Sequence, residues 1–185
     1  MDREIKTTDS SYLYRGKIFS VRKDLLQLPE GKVFWREVVE HPGAAAILAR
    51  DGEQVILVRQ YRHPASQVLW EIPAGKLEPG EEPLVCAQRE LAEEAGIRGS
   101  NWKLLSKFFT SPGFCDEVIY LYEATNLQPA VASPDEDEQV EAERVPLSRA
   151  LEMVLRGEIV DAKTIVALSL VSTWASGSIN RSTSA

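Results

Sequence analysis

Carboxylates gather in one stretch of the 185-residue chain, residues 75–97, GKLEPGEEPLVCAQRELAEEAGI. Gly75 is followed after five residues by Glu81, and seven more lead to Arg89-Glu90-Leu91, then Glu93-Glu94 and Gly96-Ile97. Glu78-Pro79-Gly80-Glu81 reads as a turn, because proline presets φ at the second position and glycine tolerates positive φ at the third. A helix is predicted from Pro83, whose missing N–H costs nothing in a first turn, to Gly96 just past its end. At about 100° per residue, Leu84, Ala87, Leu91 and Ala95 are expected on one face, flanked by Val85 and Ala92. Glu90, Glu93 and Glu94 are then expected on the opposite face. Most charge runs of this kind are only solvated helix surface. Here, however, Glu90 and Glu94 are like charges one turn apart, and carboxylates sit badly at a helix C-terminus. A divalent cation would reverse both penalties, and sites rich in carboxylate oxygen select Mg²⁺ or Mn²⁺.

With U a bulky aliphatic, G-x5-E-x7-R-E-U-x-E-E-x-G-U resembles the Nudix box at every defined position. That resemblance implies metal-dependent hydrolysis of a diphosphate bond. Glu90, Glu94 and the backbone carbonyl of Ala74 would be ligands, with Glu93 beside them and two or more ions present once substrate is bound. Arg89 would position carboxylates, through Glu81 across the loop or Glu93 four residues along the helix; the two are not ranked. Two further stretches, QYRH at 60–63 and WEIPAGK at 70–76, resemble the ADP-ribose pyrophosphatase group of Nudix hydrolases. In that group the arginine and the glutamate of these motifs contact the nucleotide, which implies such roles for Arg62 and Glu71. Pro112 lies fifteen residues after Ile97, where the group carries a marker proline, so Pro112, Gly113 and Phe114 join the substrate-binding candidates. A glutamate on a mobile loop serves these enzymes as general base, which implies Glu138 ahead of Glu136. Hydrolysis of ADP-ribose would release AMP and ribose 5-phosphate. The box alone equally permits GDP-mannose, other ADP-sugars or dinucleoside polyphosphates. A sensor that binds a nucleotide sugar without cleaving it would ordinarily carry a degraded box.

The elements that must hold these residues are legible from pattern. Residues 18–22 and 33–39 read as β-rich, split by the turn at 28–31, and residues 1–40 as a small N-terminal β subdomain. Three strands alone bury too little to be stable; the resemblance implies that this piece mediates a homodimer. His41-Pro42-Gly43 reads as a boundary, opening a hydrolase domain over 41–176. Residues 44–49 and 55–58 form an expected hairpin around 50–53, and 102–110 and 118–124 read as later strands. An acidic loop covers 125–139. Helices are expected at 148–156, capped by Ser148, and at 162–175, capped by Asp161, with Ile165, Leu168 and Val171 on the packed side of the second. No chemistry is visible in either. The Ser-rich residues 177–185 read as a disordered tail. Together with the resemblance, this is an α/β fold: a Nudix-type α/β/α sandwich with a mixed sheet.

Composition narrows the partners. A net charge of −7 and a pI near 5.0 exclude a basic nucleic-acid groove. An acidic protein still binds phosphate when a metal supplies the local positive charge. Cys86 and Cys115 lack metal-ligand spacing and read as reduced thiols. With a polar N-terminus and no apolar run of membrane-spanning length, a cytoplasmic location and a small-molecule substrate are expected.

Overall fold

The computed structural model describes residues 4–131 and 140–175, the side chains of 173–175 excepted. The chain forms two compact units, one of residues 1–43 with 108–119, the other of 44–107 with 120–185.

In the first unit, β1 (Lys6–Arg15), β2 (Ser20–Gln27) and β3 (Val33–Glu40) form an antiparallel sheet in that order. β1 lies wholly before the first stretch expected to be β-rich, 18–22, and is exposed along its whole length, which is why its sequence carries no apolar alternation. Between β2 and β3, Gly31 takes φ +87° and donates to Leu28, closing the predicted turn. Asp24, buried in β2, accepts from Ser10 Oγ (2.7 Å) and Arg22 Nε (3.0 Å).

The second unit is built on a mixed sheet. Its strands are β4 (Ala44–Asp51), β5 (Gln54–Arg62), β6 (Gln67–Glu71), β7 (Ala74–Lys76), β8 (Ile97–Phe109), β9 (Val118–Pro129) and β10 (Glu141–Pro146). They run in the order β10-β5-β4-β9-β8, with β6 added to β5 and β7 to β4. Residues 45–49 of β4 are all fully buried, as expected of a strand covered on both faces. β10 lies just beyond the loop expected at 125–139, in residues whose sequence suggests no strand, because its pairing with β5 rather than its composition makes it one.

The β4–β5 hairpin turns through Gly52 (φ +60°) and then splays. β4 and β5 pair only at Arg50–Val55 and Asp51–Gln54. Beyond that, β5 pairs with β6 while β4 pairs with β7. The segment joining β6 to β7 therefore crosses into the opening, where the Pro73 carbonyl accepts from the Ile47 N–H at 2.8 Å. This splay carries residues 71–76 to the middle of the sheet.

Helix α1 (Pro83–Ala95) has Pro in its first turn and ends at Gly96, which takes φ +62° and donates to Ala92, as predicted. Its faces differ from the expectation. The buried residues are Cys86, Ala87, Glu90, Leu91 and Glu94, whereas Leu84 and Val85 are exposed. Cys86, Ala87 and Leu91 pack on Ala45, Ile47 and Ala49 of β4, and Glu90 and Glu94 share that inward side. A hydrophobicity wheel puts carboxylates outward; here the interior supplies them with donors.

Helix α2 (Leu147–Leu155) starts one residue before the prediction, with Pro146 at its N-cap and no capping side chain, so Ser148 is not the cap. Helix α3 (Ala162–Ala175) begins where Asp161 Oδ2 accepts from Thr164 N at 3.0 Å, the predicted cap. Its buried line is Thr164, Ala167, Leu168 and Val171, with Ile165 at the margin. Because odd-numbered residues of β4 meet α1 and side chains alternate along a strand, α3, which also packs on β4, covers the other face.

Candidate active site

The second unit brings most of the candidate residues together along α1 and the 71–76 segment. Arg89 is the hub. Its Nε and Nη2 donate to both oxygens of Glu81 (3.0 Å each), forming a bidentate fork. Nη1 donates to Glu90 Oε1 (2.7 Å) and Glu93 Oε2 (2.9 Å), and Nη2 also reaches the Lys76 carbonyl (3.3 Å). Both partners weighed for Arg89 are thus engaged at once, with Glu90 as a third. Only a guanidinium presents enough N–H groups in one plane for this. The turn folds to meet it: Glu81 N donates to Glu78 O (3.0 Å), and Glu78 N donates back to Glu81 Oε2 (2.9 Å).

Hydrogen bonds from Arg89 hold the Glu81 carboxyl below its ordinary value of 4.5 against the opposing effect of burial. A carboxylate with a lowered folded pKa contributes stability that is complete above its unfolded pKa and disappears as pH falls through the folded one. The melting temperature should therefore fall as pH drops below 4.5 and through the lowered folded pKa. Glu81→Gln should flatten that slope, as read by thermal melts across pH; an unchanged slope would dismiss the clamp.

Glu90 and Glu94 are nearly buried, at 8% and 7% exposure. Glu94 Oε2 accepts from Ala74 N (2.9 Å) and Oε1 from Gln60 Nε2 (3.4 Å). Glu90 lies against Gly75 so closely that a Cβ there would fall 1.8 Å from Glu90 Oε1. Gly75 has no positive φ; close approach, not backbone freedom, demands glycine. Among the described residues no group of three His, Cys, Asp or Glu side chains is drawn together in metal-binding geometry. The chemistry of the donors nonetheless fits a hard divalent cation: two nearly buried carboxylates, Glu90 and Glu94, meet the backbone at Gly75 and Ala74, and Glu93 shares Arg89 with Glu90. Cys86, beneath them, has its thiol pushed up to about 12 by burial and by Glu81 and Glu90, so it is inert packing.

Gln60 and Arg62 stand two apart on β5, on one side of the strand. Arg62 Nε and Nη2 fork onto both oxygens of Glu71 at 2.8 and 2.7 Å. Glu71, at 1% exposure, also accepts from Lys163 Nζ. Burial pushes its carboxyl up, but the bonds from Arg62 and the Lys163 charge outweigh this and hold it below 4.5. Arg62 keeps 37% of its side chain exposed and is the member of the pair that a ligand can reach. Lys163 and Thr164 belong to this site and were missed: on a sequence, D-x-K-T opening a helix reads as a cap and nothing more.

Pro112, Gly113 and Phe114 lie in the first unit. Their loop is stitched to β3 by Val39 N to Phe114 O (2.8 Å) and Asp116 N to Val39 O (3.1 Å). It lines a cavity of about 350 Å³ together with Asp24, Leu26, Arg36 and Val38. Glu136 and Glu138 lie outside the described residues.

This architecture is that of an α/β hydrolase, and comparison with known proteins gives its family. A NUDIX domain model matches residues 39–168, and a nucleoside diphosphate sugar hydrolase N-terminal domain model matches 5–39. The chain belongs to the Nudix family. It is 42% identical over 168 residues to the ADP-ribose pyrophosphatase of Bacillus subtilis, covering 89% of this chain and 91% of that one. Identity to the ADP-ribose pyrophosphatase of Mycobacterium tuberculosis is 41% over 175 residues, covering 92% and 84%. A methanol dehydrogenase activator of Bacillus methanolicus is likewise 42% identical over 168 residues, covering 89% and 91%. A crystal structure of an ADP compounds hydrolase superposes with a TM-score of 0.83 at 24% identity over 95% of this chain and 96% of that one, which establishes the shared fold.

Proposed function

We propose that this protein hydrolyses the diphosphate bond of ADP-ribose to AMP and ribose 5-phosphate with Mg²⁺ or Mn²⁺. The observation that carries the reading is the Arg89-centred carboxylate cluster, with Glu90 and Glu94 gathered at Ala74–Gly75. It stands beside an arginine fork, in a chain whose relatives include ADP-ribose pyrophosphatases matched over about nine-tenths of its length. Glu90, Glu94, the Ala74 carbonyl and Glu93 would hold the cation or cations, two or more with substrate bound. When bound, these would spread the negative charge of the diphosphate oxygens and orient them for attack by water. Arg89 holds the carboxylates apart and aimed. Arg62 contacts the nucleotide, with Glu71 orienting it; Pro112, Gly113 and Phe114 are read as substrate-binding residues from their position after the box. Glu138, or else Glu136, accepts the proton of the attacking water, which requires a carboxylate within hydrogen-bond reach.

The test is phosphatase-coupled turnover with each metal over ADP-ribose, ADP-glucose, GDP-mannose, NADH and diadenosine polyphosphates. A kcat/KM preference for ADP-ribose is expected. A preference for GDP-mannose would shift the substrate while keeping the chemistry; a GDP-mannose pyrophosphatase of Cronobacter sakazakii is 36% identical over 145 residues, covering 72% of this chain and 75% of that one. Tight ADP-ribose binding without turnover would make the protein a sensor. Arg62→Ala should raise KM by about tenfold or more and lower kcat less, because its contact is to the nucleotide rather than the reacting phosphates. An unchanged KM would remove Arg62 from the substrate site.

The same reading makes this a cytoplasmic enzyme; no described helix is long and apolar enough to cross a membrane. It also makes the enzyme a homodimer through the N-terminal unit. Supporting this, Tyr12, Leu13, Tyr14, Phe19, Val33 and Trp35 are exposed there, apolar side chains that a second copy would cover. Light scattering after size exclusion should give twice the chain mass of 20.6 kDa.

A further inference from the structure

The first turn of α3 is wired into the substrate side of the site. Asp161 divides its two oxygens: Oδ2 caps the helix, accepting from Thr164 N (3.0 Å) and Oγ1 (2.6 Å), while Oδ1 holds Lys163 Nζ at 3.0 Å. Lys163 spans from there to Glu71 Oε2, the oxygen that also receives Arg62 Nη2. Thr164, fully buried, accepts from the Ile72 N–H at 2.8 Å, so the same turn grips the backbone next to Glu71. Lys163 is 12% exposed in its side chain and Arg62 37%. Holding a lysine still costs rotamer freedom, and a helix cap needs no lysine at all.

We propose that Lys163 is a positioning residue for substrate recognition: anchored by Asp161, it locks the Glu71 carboxylate so that the Arg62 guanidinium is presented in one orientation. Without the ammonium, Glu71 keeps Arg62 as its side-chain partner but is free to turn about its last torsion, and the fork turns with it. Lys163 itself touches no substrate. The inference rests on the reading of Arg62 as a nucleotide contact.

The test is a double-mutant cycle in steady-state kinetics, run on whichever nucleoside diphosphate compound the wild type cleaves best. Lys163→Met should raise KM about tenfold with kcat within about twofold, and should add nothing in an Arg62→Ala background, the signature of a residue acting through another. Lys163→Arg should recover most of the loss. Equal KM increases in both backgrounds, or a fall in kcat at unchanged KM, would overturn the proposal. An Arg62→Ala enzyme with wild-type KM would overturn the reading beneath it. A wild type that prefers another substrate changes only the compound used. Should Lys163→Met fail to show a cooperative melt, Asp161→Asn carries the same cycle. Asparagine still caps a helix but releases the charge that anchors Lys163, so KM should rise in the same Arg62-dependent way; an unchanged KM would again overturn the proposal.

Discussion

Glu94→Gln should lower kcat by about three orders of magnitude while leaving the melting temperature within a few degrees of wild type. The size follows from the charge. A metal site supplies several kcal/mol of transition-state charge stabilisation, and each 1.36 kcal/mol is about tenfold in rate. An amide removes the ligand charge but not the volume. The fold survives because the carbonyl oxygen of the substituted amide can still accept the Ala74 N–H now taken by Glu94 Oε2. The new amide nitrogen would meet Gln60 Nε2, which lies 3.4 Å from Glu94 Oε1, and a flip of Gln60 presents its oxygen instead. Mn²⁺ affinity, read by isothermal titration, should fall with kcat. Wild-type kcat with Mg²⁺ in this variant would show that Glu94 holds no metal.

Gly75→Ala should cost at least about a hundredfold in kcat, with a destabilisation of about 1–3 kcal/mol. The added methyl would stand 1.8 Å from Oε1, 1.9 Å from Cδ and 2.3 Å from Oε2 of Glu90, so the whole carboxylate must leave. It cannot leave freely, because Arg89 Nη1 holds Oε1 at 2.7 Å and the residue is only 8% exposed. Moving it breaks that ion pair and loosens Arg89 toward Glu93. Steric origin has its own signature. Adding Glu90→Ala to Gly75→Ala should restore the melting temperature without restoring activity, since it vacates the space the methyl needs. A single Gly75→Ala enzyme with normal kcat would show that Glu90 works from another position.

How far the chain could be read without coordinates depends on whether the relevant physics is local. Helix α1 was legible at both ends because proline and glycine act through their own backbone, and α3 because Asp161 reaches only three residues ahead. The box itself was legible because Glu81, Arg89, Glu90, Glu93 and Glu94 at that spacing have few other uses. What the α1 side chains face was not legible. Ranking residues by hydrophobicity turned Glu90 and Glu94 outward, while the fold buries them where Arg89, the Ala74 N–H and Gln60 supply donors, two of the three from elsewhere in the chain. Strand β10 and the exposed β1 were likewise hidden, since pairing made them strands and their composition did not.

The amino-acid sequence by itself therefore determined the chemistry: which carboxylates gather, on what kind of element, and with what arginine. Only the tertiary structure decided how they are held. The splayed β4–β5 hairpin admits the 71–76 segment between its strands, and that backbone then meets α1 at Gly75 and α3 at Ile72. Glu90 reaches Gly75 across 15 residues and Thr164 reaches Ile72 across 92, and contacts at such range are set by sheet pairing and core packing, which no local pattern encodes.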